Sequence, residues 1–229
     1  MKRLKKVLLA AIISLVAVDA FAWPWISPYA YCLGNPVNAI DPDGRIVYLK
    51  YRGNNGKTVQ YTFNPQNQQN IPDNSFVRDF VAAYNYNINN GGGDNMFNAA
   101  NDSKREYVVV DANLFSKEHQ KTEYVPQDGE RKIKWESRKG LRFDGDKRQS
   151  PATRLEHEFD HAVDDANNGT NHRTRGSLPA GRFGNKEEQR VIEGSESKTA
   201  QANGEDIRKH HYGSTYDVEN STSTEERRY

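Results

Sequence analysis

The clearest chemistry in the sequence lies in one short run, His157-Glu158-Phe159-Asp160-His161. On a helix, residues four apart share a face one turn from each other, so the two imidazoles can point at a single metal ion. Glu158 flanks the pair, where its carboxylate can take a proton from a metal-activated water instead of binding the metal. One zinc ion suits this donor set; it brings the pKa of water towards ~7 and polarises a scissile carbonyl. The chemistry implied is metal-assisted hydrolysis, of peptide bonds first and of non-peptide bonds as an alternative.

Zinc needs a third protein ligand and an open position. The Gly and third His of the extended metzincin pattern are replaced by Asp164 and Asn167, which excludes that arrangement. Asp165 stands four residues beyond His161, a further turn or ~6 Å along the axis, too far for a short side chain. The remaining source is the segment Asn185-Lys186-Glu187-Glu188-Gln189-Arg190-Val191-Ile192. A glutamate there would project onto the metal as in gluzincins, Glu188 being the expected ligand and Glu187 the alternative. The competing reading is a solvated acidic pair favoured by the helix dipole. A donor for the tetrahedral oxyanion is sought among His210, His211, Tyr212 and Tyr216, with Tyr216 and His211 ranked first and Tyr216 taken as the catalytic choice. His119 and His172 fall in apparent loops and read as solvent groups. Asp160, Asp164 and Asp165 read as the hydrated side of the motif helix, where a carboxylate can also hold a ligand imidazole.

Around these residues the pattern gives the elements that must position them. Ser150 can cap a helix starting at Pro151, and Leu155, Phe159, Ala162, Val163 and Ala166 form one apolar stripe, so a helix is expected over 150–166. At 100° per residue His157 and His161 lie away from that stripe. A surface helix that carries the motif by chance is the competing reading; the cap, the stripe and the acidic segment downstream count against it. Residues 46–51 and 57–63 read as a β-hairpin, and Phe76, Phe80, Val81 and Tyr84 place a helix over 75–88 that ends at Gly91-Gly92-Gly93. Tyr107 to Val110, Lys132 to Trp135 and Leu141 to Phe143 read as short strands, with a turn at Gln127-Asp128-Gly129. A looser loop follows the motif helix, then a helix near 186–201. The fold class expected is α+β, a small, mostly antiparallel sheet with the motif helix packed on it, as zincin-like domains use.

The 229 residues carry 32 Lys and Arg against 31 acidic residues. Without a basic excess, nucleic acid is not an expected partner. Lys2, Arg3, Lys5 and Lys6, the apolar run Val7 to Val18, and Ala20-Phe21-Ala22 read as a signal peptide over 1–22, an uncleaved anchor being the rival. Export to the periplasm or beyond is therefore expected, without stable membrane insertion after cleavage. Cys32 is the single cysteine, so no intrachain disulfide forms. The last residues, 219–229, are rich in Ser, Thr, Glu and Arg and read as a disordered tail.

Two stretches resemble known families. Residues 27–45, Ser-Pro-Tyr-Ala-Tyr-Cys-Leu-Gly-Asn-Pro-Val-Asn-Ala-Ile-Asp-Pro-Asp-Gly-Arg, resemble the C-terminal end of the Rhs/YD-repeat core, where Y-x-Y-C-x-x-N-P-V-N-x-x-D-P-D-G-R joins a shell to a variable toxin or effector domain. That makes 23–45 a junction segment and 46–218 the variable domain. Over 130–218, Ile133-Lys134-Trp135, Ser150-Pro151-Ala152, Leu155 to Ala162, Asn185 to Glu196, Gly204 to Arg208 and His211 to Tyr216 look like the NleD-like effector zinc metallopeptidases. The resemblance implies metal-binding roles for His157 and His161, a general base in Glu158, and a function for the E-E-x-R-V-I block. It also implies a protein substrate and, for a toxin, a cognate immunity protein. The reading from another class is a catalytically silent surface or interaction domain left from a truncated Rhs toxin.

Overall fold

The computed structural model describes residues 47–127 and 129–228. The expected signal peptide (1–22) and junction (23–45) lie outside the described residues.

Alternating burial builds the first hairpin. Val47, Leu49 and Tyr51 of β1 (Val47–Arg52) face the core, and β1 pairs antiparallel with β2 (Thr58–Phe63) from Val47↔Phe63 to Arg52↔Thr58. β3 (Tyr107–Asp111) buries four successive residues, Tyr107 to Val110, as a strand covered on both faces does. It lies between β1 and β5 (Glu130–Trp135) and runs parallel to both. β4 (Glu123–Gln127) closes the edge antiparallel to β5, giving the order β2-β1-β3-β5-β4. The principal sheet is therefore mixed, and the mostly antiparallel expectation is corrected at its centre. The long excursion between β1 and β3, which carries two helices, supplies the crossover a parallel pair needs. A second, three-stranded antiparallel sheet has the order β7-β6-β8, from β6 (Lys139–Phe143), β7 (Lys147–Gln149) and β8 (Ser214–Asp217).

Helix α1 (Ser75–Asn90) starts where the Asn74 side chain accepts from the amides of Phe76 and Val77, and ends at Gly91, which takes φ 90°. A short α2 (Asp94–Ala100) follows. The motif helix α3 (Pro151–Ser177) opens as expected, with Ser150 Oγ accepting from Thr153 N and Pro151 in its first turn. Its stripe of Leu155, Phe159, Ala162 and Val163 is buried, with Ala166 packed at its end. Phe159 meets Phe80 and Tyr107, each with ring centroids 6.4 Å apart, while Trp135 packs on Phe76 and donates from Nε1 to Pro151 O at 3.0 Å. Buried Glu156 accepts from the amides of Asn95 and Met96 at 2.8 and 3.0 Å and so ties α2 to α3.

Two expectations are corrected here. The sequence pattern predicts a helix over 150–166 followed by a looser loop, yet α3 continues to Ser177 past one non-helical residue, Asn168. Asp164 holds the extra turns by pairing with both His172 and Arg175, and Glu187, from the following helix, meets the same two residues. Residues 219–228 are not a disordered tail. Ser221 is buried, its Oγ donating to Asp79 O and its carbonyl accepting from Ala152 N, and Arg227 N donates to Asp217 O. Among the described residues no helix is long and apolar enough to cross a membrane.

Candidate metal centre

His157 and His161 project from α3 away from its aromatic core, yet both are buried, because a second pair of helices covers them. That cover is α4 (Lys186–Val191), a π-helical turn (Ile192–Glu196) and α5 (Ser197–Ala202). Asn185 caps α4 by accepting from the amides of Glu187 and Glu188, both at 2.9 Å, which fixes the two glutamates in its first turn.

Three donor groups converge. His157 Nε2 and His161 Nε2 are 3.1 Å apart; Glu188 Oε2 lies 3.1 Å from the first and Oε1 3.3 Å from the second. Ligands about 2.05 Å from a tetrahedral zinc stand about 3.3 Å from one another, so this spacing is that of three corners of such a site. The outer ring nitrogens are also engaged: His157 Nδ1 meets Glu196 Oε2 at 2.7 Å and His161 Nδ1 meets Glu187 Oε1 at 3.3 Å. With Nδ1–H given to a carboxylate, each ring, once its second proton is displaced, turns its Nε2 lone pair inwards. Two lone pairs and a carboxylate then face each other in a buried space, and Glu188 Oε2 accepts no well-formed hydrogen bond. The arrangement calls for a cation between them, and the residues fit a zinc ion.

The carboxylates around both rings also favour positive charge at this position. Burial opposes charge on the histidines, but the adjacent carboxylates of Glu188 and Glu196 push His157 up to about 10, and those of Glu187 and Glu188 push His161 up to about 9. Burial would raise Glu188; the two histidines beside it instead hold it well below the usual carboxylate range. Glu196, despite complete burial, is brought down to about 2 by the Arg208 charge and by His157.

A second group, His161, His172 and Glu187, also has metal-ligand spacing. Its carboxylate is already committed, since Glu187 receives Arg175 Nε and Arg190 Nη2, each at 2.6 Å. Two guanidiniums beside the only acid of that group disfavour a further cation. The structure thus separates the two glutamates left open by the sequence: Glu188 faces the Nε2 atoms, and Glu187 holds the outer nitrogen of His161.

Glu158 lines an open cleft of about 380 Å³ together with His157, His161 and Glu188. The edge strand β4 forms the opposite wall, and its Tyr124 amide donates to Glu158 Oε2 at 2.7 Å. His211 also lines the cleft, its Nε2 3.3 Å from Glu188 Oε2 and its ring stacked on His157 at 6.4 Å. Burial lowers the pKa of His211, which favours the neutral ring.

Tyr216 is corrected. It sits in β8 with its hydroxyl donating to Thr224 O at 2.7 Å and its ring against Arg142 and Arg148, and it does not line the cleft. Gly140 stands opposite it in the β6–β8 register, and a Cβ there would come within 2.7 Å of that ring. His172 is corrected as well: it belongs to α3, lines the cleft, and contacts Asp164 and Glu187. His119 is exposed, as read. The aspartates of the motif helix hold other groups than the ligand rings: Asp160 takes Arg190 and Ser195, Asp164 takes His172 and Arg175, and Asp165 takes the Tyr124 hydroxyl at 2.7 Å.

Sequence reasoning missed Glu196. In an unbroken α-helix Glu188 and Glu196 would be ~12 Å apart along the axis. They instead meet the two nitrogens of one imidazole across a π turn in which Gly194 adopts φ −100°, ψ −106°. A glycine inside an acidic helical run, Glu193-Gly194-Ser195-Glu196, is the one local sign of that break. No family model, curated protein or solved structure matches the chain.

Proposed function

We propose that the protein is a zinc-dependent metalloendopeptidase of zincin-like fold, with Rhs-associated toxin or effector ancestry. The observation that carries this reading is the 3.1–3.3 Å convergence of His157 Nε2, His161 Nε2 and the Glu188 carboxylate beside Glu158 in an open cleft. Zinc held there supplies Lewis acidity, polarising the scissile carbonyl and easing the ionisation of water.

The chain's own residues do the rest. Glu158 takes the proton of the attacking water and returns it to the leaving amine, a general acid–base contribution of ~10²–10⁴-fold. The Tyr124 amide holds one Glu158 oxygen in place, leaving the other for the proton. His211, which also lines the cleft and is kept neutral by burial, would supply the ring N–H that stabilises negative charge on the carbonyl oxygen. An open trough walled by a strand edge suits an extended polypeptide, consistent with a protein substrate. Export to the periplasm or outside the cell belongs to the same proposal and rests on the signal-peptide pattern of residues 1–22, while pairing with an immunity protein rests on the two sequence resemblances.

The test is cleavage of casein or a peptide library by purified zinc-loaded protein beside Glu158→Ala. The reading requires cleavage by the wild type and its loss, with zinc retained, in the variant. Equal cleavage by both would overturn it.

A further inference from the structure

One buried cation beside the metal centre has no part in the chemistry above. Arg208, on the segment after α5, is 7% exposed. Its Nε donates to Glu196 Oε1 at 2.9 Å and its Nη2 to Glu196 Oε2, so the guanidinium forks both oxygens of that carboxylate. The same carboxylate meets His157 Nδ1 at 2.7 Å. The third arm, Nη1, donates to the backbone carbonyl of His211 at 3.4 Å. A single side chain therefore touches the partner of one metal-site histidine and the backbone of the histidine lying over Glu188.

We propose that Arg208 is a positioning residue for the metal centre, fixing His157 through Glu196 and His211 through its backbone. This deepens the zinc reading and rests on it. A carboxylate forked by a guanidinium stays ionised and has no proton to give. The ring nitrogen facing it must then be the donor, so His157 presents Nδ1–H to Glu196 and the Nε2 lone pair to the site. Gln149 Nε2 occupies a further acceptor position on Glu196 Oε1 at 3.1 Å, which leaves the carboxylate little room to turn. A lysine at 208 would keep the charge but could not chelate both oxygens and reach the His211 carbonyl together. Buried ion pairs contribute little net stability against apolar pairs of like volume, so the contribution of this one is geometric.

The test measures zinc affinity by chelator competition in the full chain, for wild type, Arg208→Lys, Arg208→Gln, Glu196→Gln and the Arg208→Gln/Glu196→Gln double variant. Each single change is expected to weaken zinc binding by ~10–100-fold. The double variant should be no weaker than the worse single one, because both act through the same imidazole. In zinc-loaded wild type the His157 Nδ1–H should give a slowly exchanging imidazole proton resonance that is shifted or lost in the Arg208 variants. Wild-type affinity in both Arg208 variants, or additive losses in the double variant, would overturn the inference while leaving the zinc reading intact. Absence of zinc binding by the wild type would overturn both. Arg208→Lys, which preserves charge and near-native volume, decides the matter if Arg208→Gln does not fold.

Discussion

Removing the metal should lower the melting temperature by an amount that the structure allows to be worked out. The donor side chains are 5%, 6% and 20% exposed for His157, His161 and Glu188, and they stand on packed helices at ligand spacing. The site is built in the folded chain and absent from the unfolded one, so zinc bound there would act as a ligand of the native state. At free zinc 1,000-fold above the dissociation constant, that adds about 4.1 kcal/mol. In a body the size of residues 47–228, each kcal/mol moves the midpoint by about 2–4 °C, giving a shift of about 8–16 °C. Scanning calorimetry in excess chelator and in buffered free zinc reads it directly, with the dissociation constant fixed separately by chelator competition. Coincident melts would refute the reasoning. So would an undiminished shift in a His157→Ala/Glu188→Ala variant, which would place zinc elsewhere.

The remaining predictions follow from single groups. With His157 up to about 10 and His161 up to about 9, both rings hold at pH 7 a proton that zinc must displace. Zinc affinity should therefore rise with pH, by up to ~100-fold per unit between pH 6 and 8, with about two protons released per ion in calorimetry across buffers of different ionisation heat; a flat profile would contradict the carboxylate cage. Tyr216→Phe should leave kcat/KM within about twofold of wild type while losing ~0.5–1.5 kcal/mol of stability with the bond to Thr224; a large loss of activity would return Tyr216 to the active site. Phe159→Ala should cost ~3–5 kcal/mol in denaturant unfolding, since the ring is fully buried against Phe80 and Tyr107; a cost under ~1 kcal/mol would mean that the stripe does not hold α3.

What could be read from the sequence was local. The cap at Ser150, the stripe through Leu155 and Phe159, the histidine pair and the hairpin over 47–63 each follow from periodicity or from one capping residue, and the structure contains them. Glu188 came from eliminating Asp165 on axial distance, and the structure does give Asp165 to Tyr124. What escaped depended on distant partners. Glu123 to Gln127 contains Pro126, which argues against a strand; it is tolerated because β4 is an edge and Pro126 needs no ladder donor there. Within one polar segment the sequence reading prefers Tyr216 to His211, and only the pairing of β8 with β6 turns the tyrosine away from the cleft. The polar residues near the end gave no hint that Ser221 would be buried between Asp79 and Ala152. Glu196 depended on a π turn that composition does not announce.

The central claim is that one zinc ion sits between His157 Nε2, His161 Nε2 and the Glu188 carboxylate. Anomalous diffraction at the zinc edge from crystals grown with the metal tests it most directly. The account predicts one peak about 2.0–2.2 Å from those three donors, with a further position open to the cleft. A peak among His161, His172 and Glu187, or no peak at full zinc loading, would contradict it.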